Sequence, residues 1–361
     1  MRDSRVHIKF RVGNWVQVRS KEEILNTLDA NGELDGMPFM PEMLKYCGMK
    51  FKVYKRAHKT CDYSTEAHRT RKLKDAVHLE TRCSGEAHDG CQAGCLMYWK
   101  HAWLKRIDSG VDLVNSSTSA AELPADRSDP KVPCEESVLY QRTRYADSSD
   151  GSTIYRCQTT QIPHATSHLN WWDVRQYLED VTSGNTSFAR LLAGTIYSAY
   201  FHLVNAGIGI GPVLRWFYNN VCWLWSSSMF PRTNGRIPRG KPTPAVTLDL
   251  QPGELVRIKS HKEVLETVDM DNKNRGMYWD AELVPYCGKT YPVLDRVKRL
   301  IDERTSKMIE MKTACIVLES VVCQARYSQC RMFCPREMYP YWREIWLERV
   351  DSDNEGVRRV V

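Results

Sequence analysis

The stretch from Gly13 to Arg56, GNWVQVRSKEEILNTLDANGELDGMPFMPEMLKYCGMKFKVYKR, returns from Gly253 to Arg296 at a constant offset of 240 residues, without a gap. A repeat of that length requires two stretches of one chain to satisfy the same local pattern, so two similar modules are expected. Val16 and Val18 match Val256 and Ile258, and their alternation is that of a half-buried strand. Ser20 with Glu23, and Ser260 with Glu263, form capping boxes that open a short helix. Its Leu25 and Leu28 match Leu265 and Val268. Gly36 matches Gly276, and Tyr46-Cys47-Gly48 matches Tyr286-Cys287-Gly288 ahead of strands expected at 50–55 and 290–294.

The end of each module repeats as well, in residues 76–107 and 315–350. Each copy has an apolar segment ending in Leu-Glu, three cysteines, a Tyr-Trp pair and a closing Trp-Leu-x-Arg. Short cysteine-rich loops of this kind are expected where thiolates hold a metal that a small core cannot replace. Cys83, Cys91 and Cys95 supply one loop, and Cys323, Cys330 and Cys334 the other. For a fourth ligand the sequence offers Cys61 and Cys315, which align with opposite arms of one expected hairpin. The sites read from the sequence are therefore Cys61, Cys83, Cys91 and Cys95, and Cys315, Cys323, Cys330 and Cys334. Each has one close Cys-x3-Cys pair and no second, whereas structural zinc usually brings two close pairs. Spread thiolates suit a cluster whose iron atoms lie apart. Two [4Fe–4S] clusters are the reading, with two zinc ions as the alternative.

His88, three residues before Cys91, is a further candidate ligand. Cys134 and Cys157 are a reserve outside the repeat. Cys47 and Cys287 read as small buried residues, and nothing assigns a role to Cys222. The Tyr98-Trp99 and Tyr341-Trp342 pairs, with Trp103 and Trp346 four residues after each Trp, are helically spaced. They read as a short aromatic helix shielding the metal loop.

The Gly-x-x-Val-x-Val opening at Gly13, answered at Gly253, resembles the SH3-like barrel modules of the nitrile hydratase beta-subunit type. The resemblance covers the first third of each module, implies a small barrel and carries no functional residue across. The fold class expected is α+β: two duplicated small SH3-like β-barrel modules, each with a Cys-rich metal loop and a short aromatic helix, joined by a helical apolar segment. Module one spans 1–107 and module two 253–361. Between them lie a Ser-, Asp- and Pro-rich connection (108–170), the helical segment (171–230) and a basic Pro- and Gly-rich linker (231–252).

Within the middle segment, helices are expected at 173–180, 187–203 and 213–225. Leu191 to Leu214 carries no formal charge, but glycines and Pro212 interrupt it, and Arg190 and Arg215 bracket it. That pattern fits a buried helical hairpin, or one lying on a membrane surface, better than a span. The aromatic residues Trp216, Phe217, Tyr218, Trp223 and Trp225 suit either place.

With 42% hydrophobic and 26% charged residues the composition is globular. The net charge of +7 permits anionic partners without requiring them. The first eleven residues lack an export signal, and thirteen cysteines without one belong in a reducing compartment, by default the cytoplasm. No Gly-x-Ser-x-Gly elbow, His-Glu-x-x-His or Walker lysine is present, which sets aside the common hydrolases and kinases. The expected function is a metal-binding protein with two Cys-ligated centres. It would act in redox chemistry or electron transfer, or as a biosynthetic enzyme on a small molecule, and no catalytic residue is identified. One alternative is a zinc-stabilised nucleic-acid-binding or protein-interaction module using Arg69, Arg71, Lys72 and Lys74. Another is a peripheral membrane scaffold docking through 187–225.

Overall fold

The computed structural model describes residues 10–65, 69–107, 134–147, 149–221, 230–328 and 331–350. The chain divides into two compact units. The first comprises Met1–Ser187, Ile301–Ile309 and Cys334–Arg336, and the second comprises Phe188–Leu300, Glu310–Phe333 and Glu337–Val361. Both are mixed α/β, and each is built on one curled antiparallel sheet.

In the first unit the sheet runs Leu96–Lys100, Ala76–Arg82, Lys50–Arg56, Trp15–Val18, Leu104–Arg106. The two edge strands are consecutive in sequence, joined only by the 3-10 turn His101–Trp103. One chain segment therefore passes from one edge to the other, which obliges the sheet to curl into a half-barrel. Val16 and Val18 point inward and are fully buried. Ser20 caps the helix Lys21–Leu25, with both halves of the capping box in place. Trp103 closes the barrel: its indole N–H donates to Thr27 Oγ1 at 3.1 Å, and its ring meets Phe39 edge-on at 5.1 Å. Residues 134–165 add Leu139, Tyr155 and Ile162 to the buried interior, although that stretch reads from sequence as a connection.

The second unit has a four-stranded sheet in the order Met308–Leu318, Thr290–Ile301, Leu255–Ile258, Leu347–Arg349. Val256 and Ile258 are fully buried, and Ser260 caps His261–Leu265 with the same box. Val16 pairs with Phe51 in one unit and Val256 with Tyr291 in the other, each 240 residues on. Trp346 donates to Thr267 Oγ1 at 3.0 Å and meets Trp279 edge-on at 5.0 Å. Ahead of this sheet lie two helices, Phe188–Val204 and Gly211–Val221, packed on Phe230. No helix among the described residues is long and apolar enough to cross a membrane. Trp223 and Trp225 lie outside the described residues.

Two expectations change. The aromatic segment is not a helix: Tyr98 and Trp99 lie on a strand, paired with His78 and Val77, and only 101–103 forms a turn. Aromatic side chains favour the pleated surface, and a strand that ends in a tight turn reproduces helical spacing between Trp99 and Trp103. The hairpin expected to carry Cys61 on one arm and, at Ala76, the counterpart of Cys315 on the other is also divided. Lys59–Cys61 pairs with Thr70–Lys72 in a separate small sheet, while Ala76–Arg82 pairs with Lys50–Arg56.

Two buried histidines give the fold a pH dependence. Burial depresses His78 to about 3 and His261 to about 4. An unfolded chain takes up these protons below the ordinary histidine value near 6.5, and the folded chain does not. Stability is therefore full above that value and falls as the pH drops toward 4. Between pH 6.5 and 5 each histidine should cost about 2 kcal/mol. Urea unfolding at pH 7 and pH 5 measures this, and His261→Phe should remove the second unit's share. Equal stability at the two pH values would contradict the assignment.

Candidate metal centre

The site begins where the Ala76–Arg82 strand ends, at Cys83. The chain turns through Gly85, takes one 3-10 turn at Glu86–His88, passes Cys91 and Cys95, and re-enters the sheet at Leu96. Cys83 N–H donates to the Cys95 carbonyl at 2.9 Å, which ties the two ends of the loop. Gly85 has φ +74°, and a Cβ there would lie 2.0 Å from the Cys91 carbonyl oxygen. Only glycine allows this crossing. Asp89 then accepts from Tyr155 Oη at 2.7 Å and pairs with Arg144, which anchors the tip.

The buried carboxylate of Glu42 organises the loop from beneath. Its Oε1 accepts from Ala87 N–H at 3.2 Å and lies 2.9 Å from His88 Nδ1 and 3.8 Å from Cys83 Sγ. The ligand atoms of Glu42, Cys83 and His88 lie within 4.8 Å of one another. The other imidazole nitrogen, His88 Nε2, sits 3.1 Å from the Arg156 carbonyl, so it must donate there. A neutral His88 would then turn the Nδ1 lone pair toward a carboxylate oxygen, an arrangement that needs a cation or proton between them. Glu42 Oε2 is buried and has no hydrogen-bond partner among the described residues.

The electrostatics follow from burial. Desolvation would raise the Glu42 carboxyl, but the hydrogen bond and charge of His88, with the Ala87 N–H, leave it below the usual carboxylate value. Burial, then the Glu42 charge and Cys95, push the Cys83 thiol far up. Cys91 is raised by burial, and Cys95 is pushed up to about 12 by the same cause. Above the trio is a cavity of about 30 Å³, lined by Cys83, His88, Cys91, Cys95, Cys157 and Glu303 among others. That is room for a water-sized body or an ion. Ile301 N–H donates to Cys91 Sγ at 3.4 Å, and Cys157 Sγ lies 3.2 Å from Thr159 Oγ1.

Of the residues read from the sequence, Cys83, Cys91, Cys95 and His88 therefore meet at one cavity, with Cys157 beside them. Cys61 does not line this cavity: its N–H donates to Cys334 Sγ at 3.2 Å, and its carbonyl accepts from Arg336 at 3.1 Å. Cys315 and Cys323 belong to the second unit. Cys315 is held near Met311 and the Arg343 guanidinium, and Cys323 N–H donates to the Met338 carbonyl. Cys330 lies outside the described residues. Cys134 is buried beside Leu139 in the first unit's core, and Cys47 and Cys287 pack against the two cores. Among the basic residues, Arg71 is committed to Thr166, the Pro163 carbonyl and Asp62. Thr70–Lys72 is a strand, so Arg71 and Lys72 point to opposite faces. Arg69 and Lys74 flank that strand on the surface.

Sequence reasoning missed Glu42. The signal was available, because Glu42 and Glu282 recur at the same 240-residue offset, each with apolar residues immediately on both sides. In the second unit Glu282 lies under the equivalent loop. Its two oxygens accept from Arg326 N–H at 2.9 Å, Tyr327 N–H at 2.5 Å and Ser328 Oγ at 3.2 Å. There the carboxylate is used up by its own chain.

Compared with known proteins, the chain matches no family model, no curated protein and no solved structure.

Proposed function

We propose that the first unit is a metal-binding module whose centre is a single soft divalent ion, zinc in the first instance, held by Cys83, His88 and Glu42. The observation that carries this reading is the buried Glu42 carboxylate, with one oxygen unpartnered and the other facing an imidazole nitrogen whose opposite nitrogen must donate. Thiolate, imidazole and carboxylate together are a zinc donor set, and three protein ligands leave a fourth position open. Here that position faces the cavity lined by Cys91, Cys95 and Cys157. The Arg156 carbonyl on His88 Nε2 is the outer contact that fixes the tautomer of a metal-ligating histidine.

A second reading is an iron–sulfur centre with a redox or electron-transfer role. It is favoured by the four cysteines, Cys83, Cys91, Cys95 and Cys157, that line one cavity. In that case Cys157 takes the place that spacing alone gives to Cys61. Either centre belongs in a reducing compartment such as the cytoplasm, where thiols stay available.

We further infer that the units arose by duplication and that the helical segment entered between the copies. The matching sheet registers, capping boxes and indole-to-threonine bonds support this. Metal binding then belongs to the first copy, because the second satisfies Glu282 by backbone and hydroxyl donors.

Metal analysis of protein purified without oxygen tests the reading. One colourless zinc per chain is expected, and cobalt substitution should give thiolate charge-transfer bands. Cys83→Ser and His88→Ala should each lower affinity by about 10- to 100-fold or more, while Cys315→Ser leaves it unchanged. A brown protein with several irons per chain would select the cluster instead, and no metal at all would overturn both.

Because Cys83 must shed its proton to bind, the affinity should rise with pH, by about tenfold per unit for each proton released. Competition with a chelator at pH 6.5 and 7.5 measures it. An affinity independent of pH would remove the thiolate from the ligand set.

A further inference from the structure

The helices Phe188–Val204 and Gly211–Val221 are apolar on both sides. Their inner sides pack together: Tyr200 Oη donates to the Leu214 carbonyl at 2.6 Å, and Val204 and Tyr218 are buried with Phe230. Their outer sides would normally be polar. Instead Phe188, Leu192, Ile196 and Leu203 are exposed along the first helix, at 69%, 50%, 60% and 44%. They fall at spacings of four, four and seven residues, so they form one continuous stripe. Ile208 and Ile210 are exposed in the connection, and Val213, Trp216 and Phe217 on the second helix. A contiguous exposed patch of this kind marks an interaction site.

Charge identifies the partner. Residues 181–248 contain no Asp or Glu but six cations: Arg190, Arg215, Arg232, Arg236, Arg239 and Lys241. Almost all of the chain's net charge of +7 therefore arises within the segment that carries the apolar face. Arg236 and Arg239 pair with Glu266 and Asp271. Arg215 instead bonds to Asn205 Oδ1 and Arg232 to the Tyr327 carbonyl, both neutral acceptors, so these charges are retained beside the helices. At 17 residues the longer helix extends about 25 Å, short of a bilayer core of about 30 Å. It suits a position in the plane of a membrane rather than across it. Exposed aliphatic and aromatic side chains, in a segment without acidic residues and flanked by arginines, match the headgroup boundary of an anionic bilayer.

We propose that this helical hairpin is a membrane-docking face that seats the protein on anionic lipid. Co-flotation of the full-length protein with vesicles tests it, comparing phosphatidylcholine alone with a mixture containing about one third phosphatidylglycerol. The protein should float with the anionic vesicles, at least tenfold more than with the neutral ones at low salt. Binding should weaken as salt rises. Ile196→Glu with Trp216→Glu, both at exposed positions, should abolish flotation while the circular dichroism spectrum and thermal unfolding stay unchanged. Arg215→Gln should weaken binding only to the anionic vesicles. No flotation of the folded wild type, or flotation untouched by the double variant, would overturn the proposal. A lipid-free dimer that the double variant makes monomeric would also overturn it, by assigning the face to a second copy of this chain.

Discussion

A carboxylate buried under a cysteine loop is the interaction on which the arrangement of that loop in the first unit depends. Glu42 is about as deeply enclosed as the apolar residues around it, and an ionised group so placed persists only when neighbours supply positive charge or donors. His88 and the Ala87 N–H supply part of this, and Cys83 stands close by. The requirement also works in reverse. Satisfying Glu42 draws the 3-10 turn Glu86–His88 down onto it, and this presents Cys83 and His88 to the same point. Gly85 is then needed because the chain must pass against the Cys91 carbonyl to get there.

The two units solve the same packing problem with nearly the same residues. A tryptophan at the closing turn reaches a threonine just past the first helix, and a second aromatic ring meets it edge-on. Edge-to-face pairs of this kind add about 0.5–1.5 kcal/mol beyond the area they bury. With the indole hydrogen bond satisfied, a bulky aromatic residue can sit at the seam of a small half-barrel without stranding a polar atom. Each sheet can therefore curl around a compact core although its strands are short.

Much of this was legible in the sequence because it is local. The capping boxes at Ser20 and Ser260, the alternation at Val16 and Val18, and the helix from Phe188 rest on neighbours within a few residues. The loop Cys83–Cys95 was legible because glycines and cysteines punctuate it. What the sequence concealed depends on long-range pairing. Cys61 does not line the cavity that Cys83, Cys91 and Cys95 share, because the chain departs from the main sheet after Arg56 and pairs 59–61 with 70–72. Cys157 lines that cavity from a stretch whose composition suggests only a connection. The strand at Leu96–Lys100 was concealed because Trp99 and Trp103 keep helical spacing across a strand and a turn.

The difference between Glu42 and Glu282 shows how the same position in two similar units can leave a buried carboxylate oxygen bare in one and engaged in the other. Both acids occupy the same place beneath the same kind of loop. In the second unit the loop offers two backbone N–H groups and a hydroxyl, so the carboxylate is fully engaged without a histidine. In the first unit the loop offers one N–H, an imidazole and a thiol, which leaves one carboxylate oxygen unengaged. An arrangement that engages both carboxylate oxygens favours rigidity, and one that leaves an oxygen bare beside a thiol and an imidazole favours a cation. Cys315 stands beside Arg343 in the second unit, while Cys334 accepts the Cys61 N–H in the first.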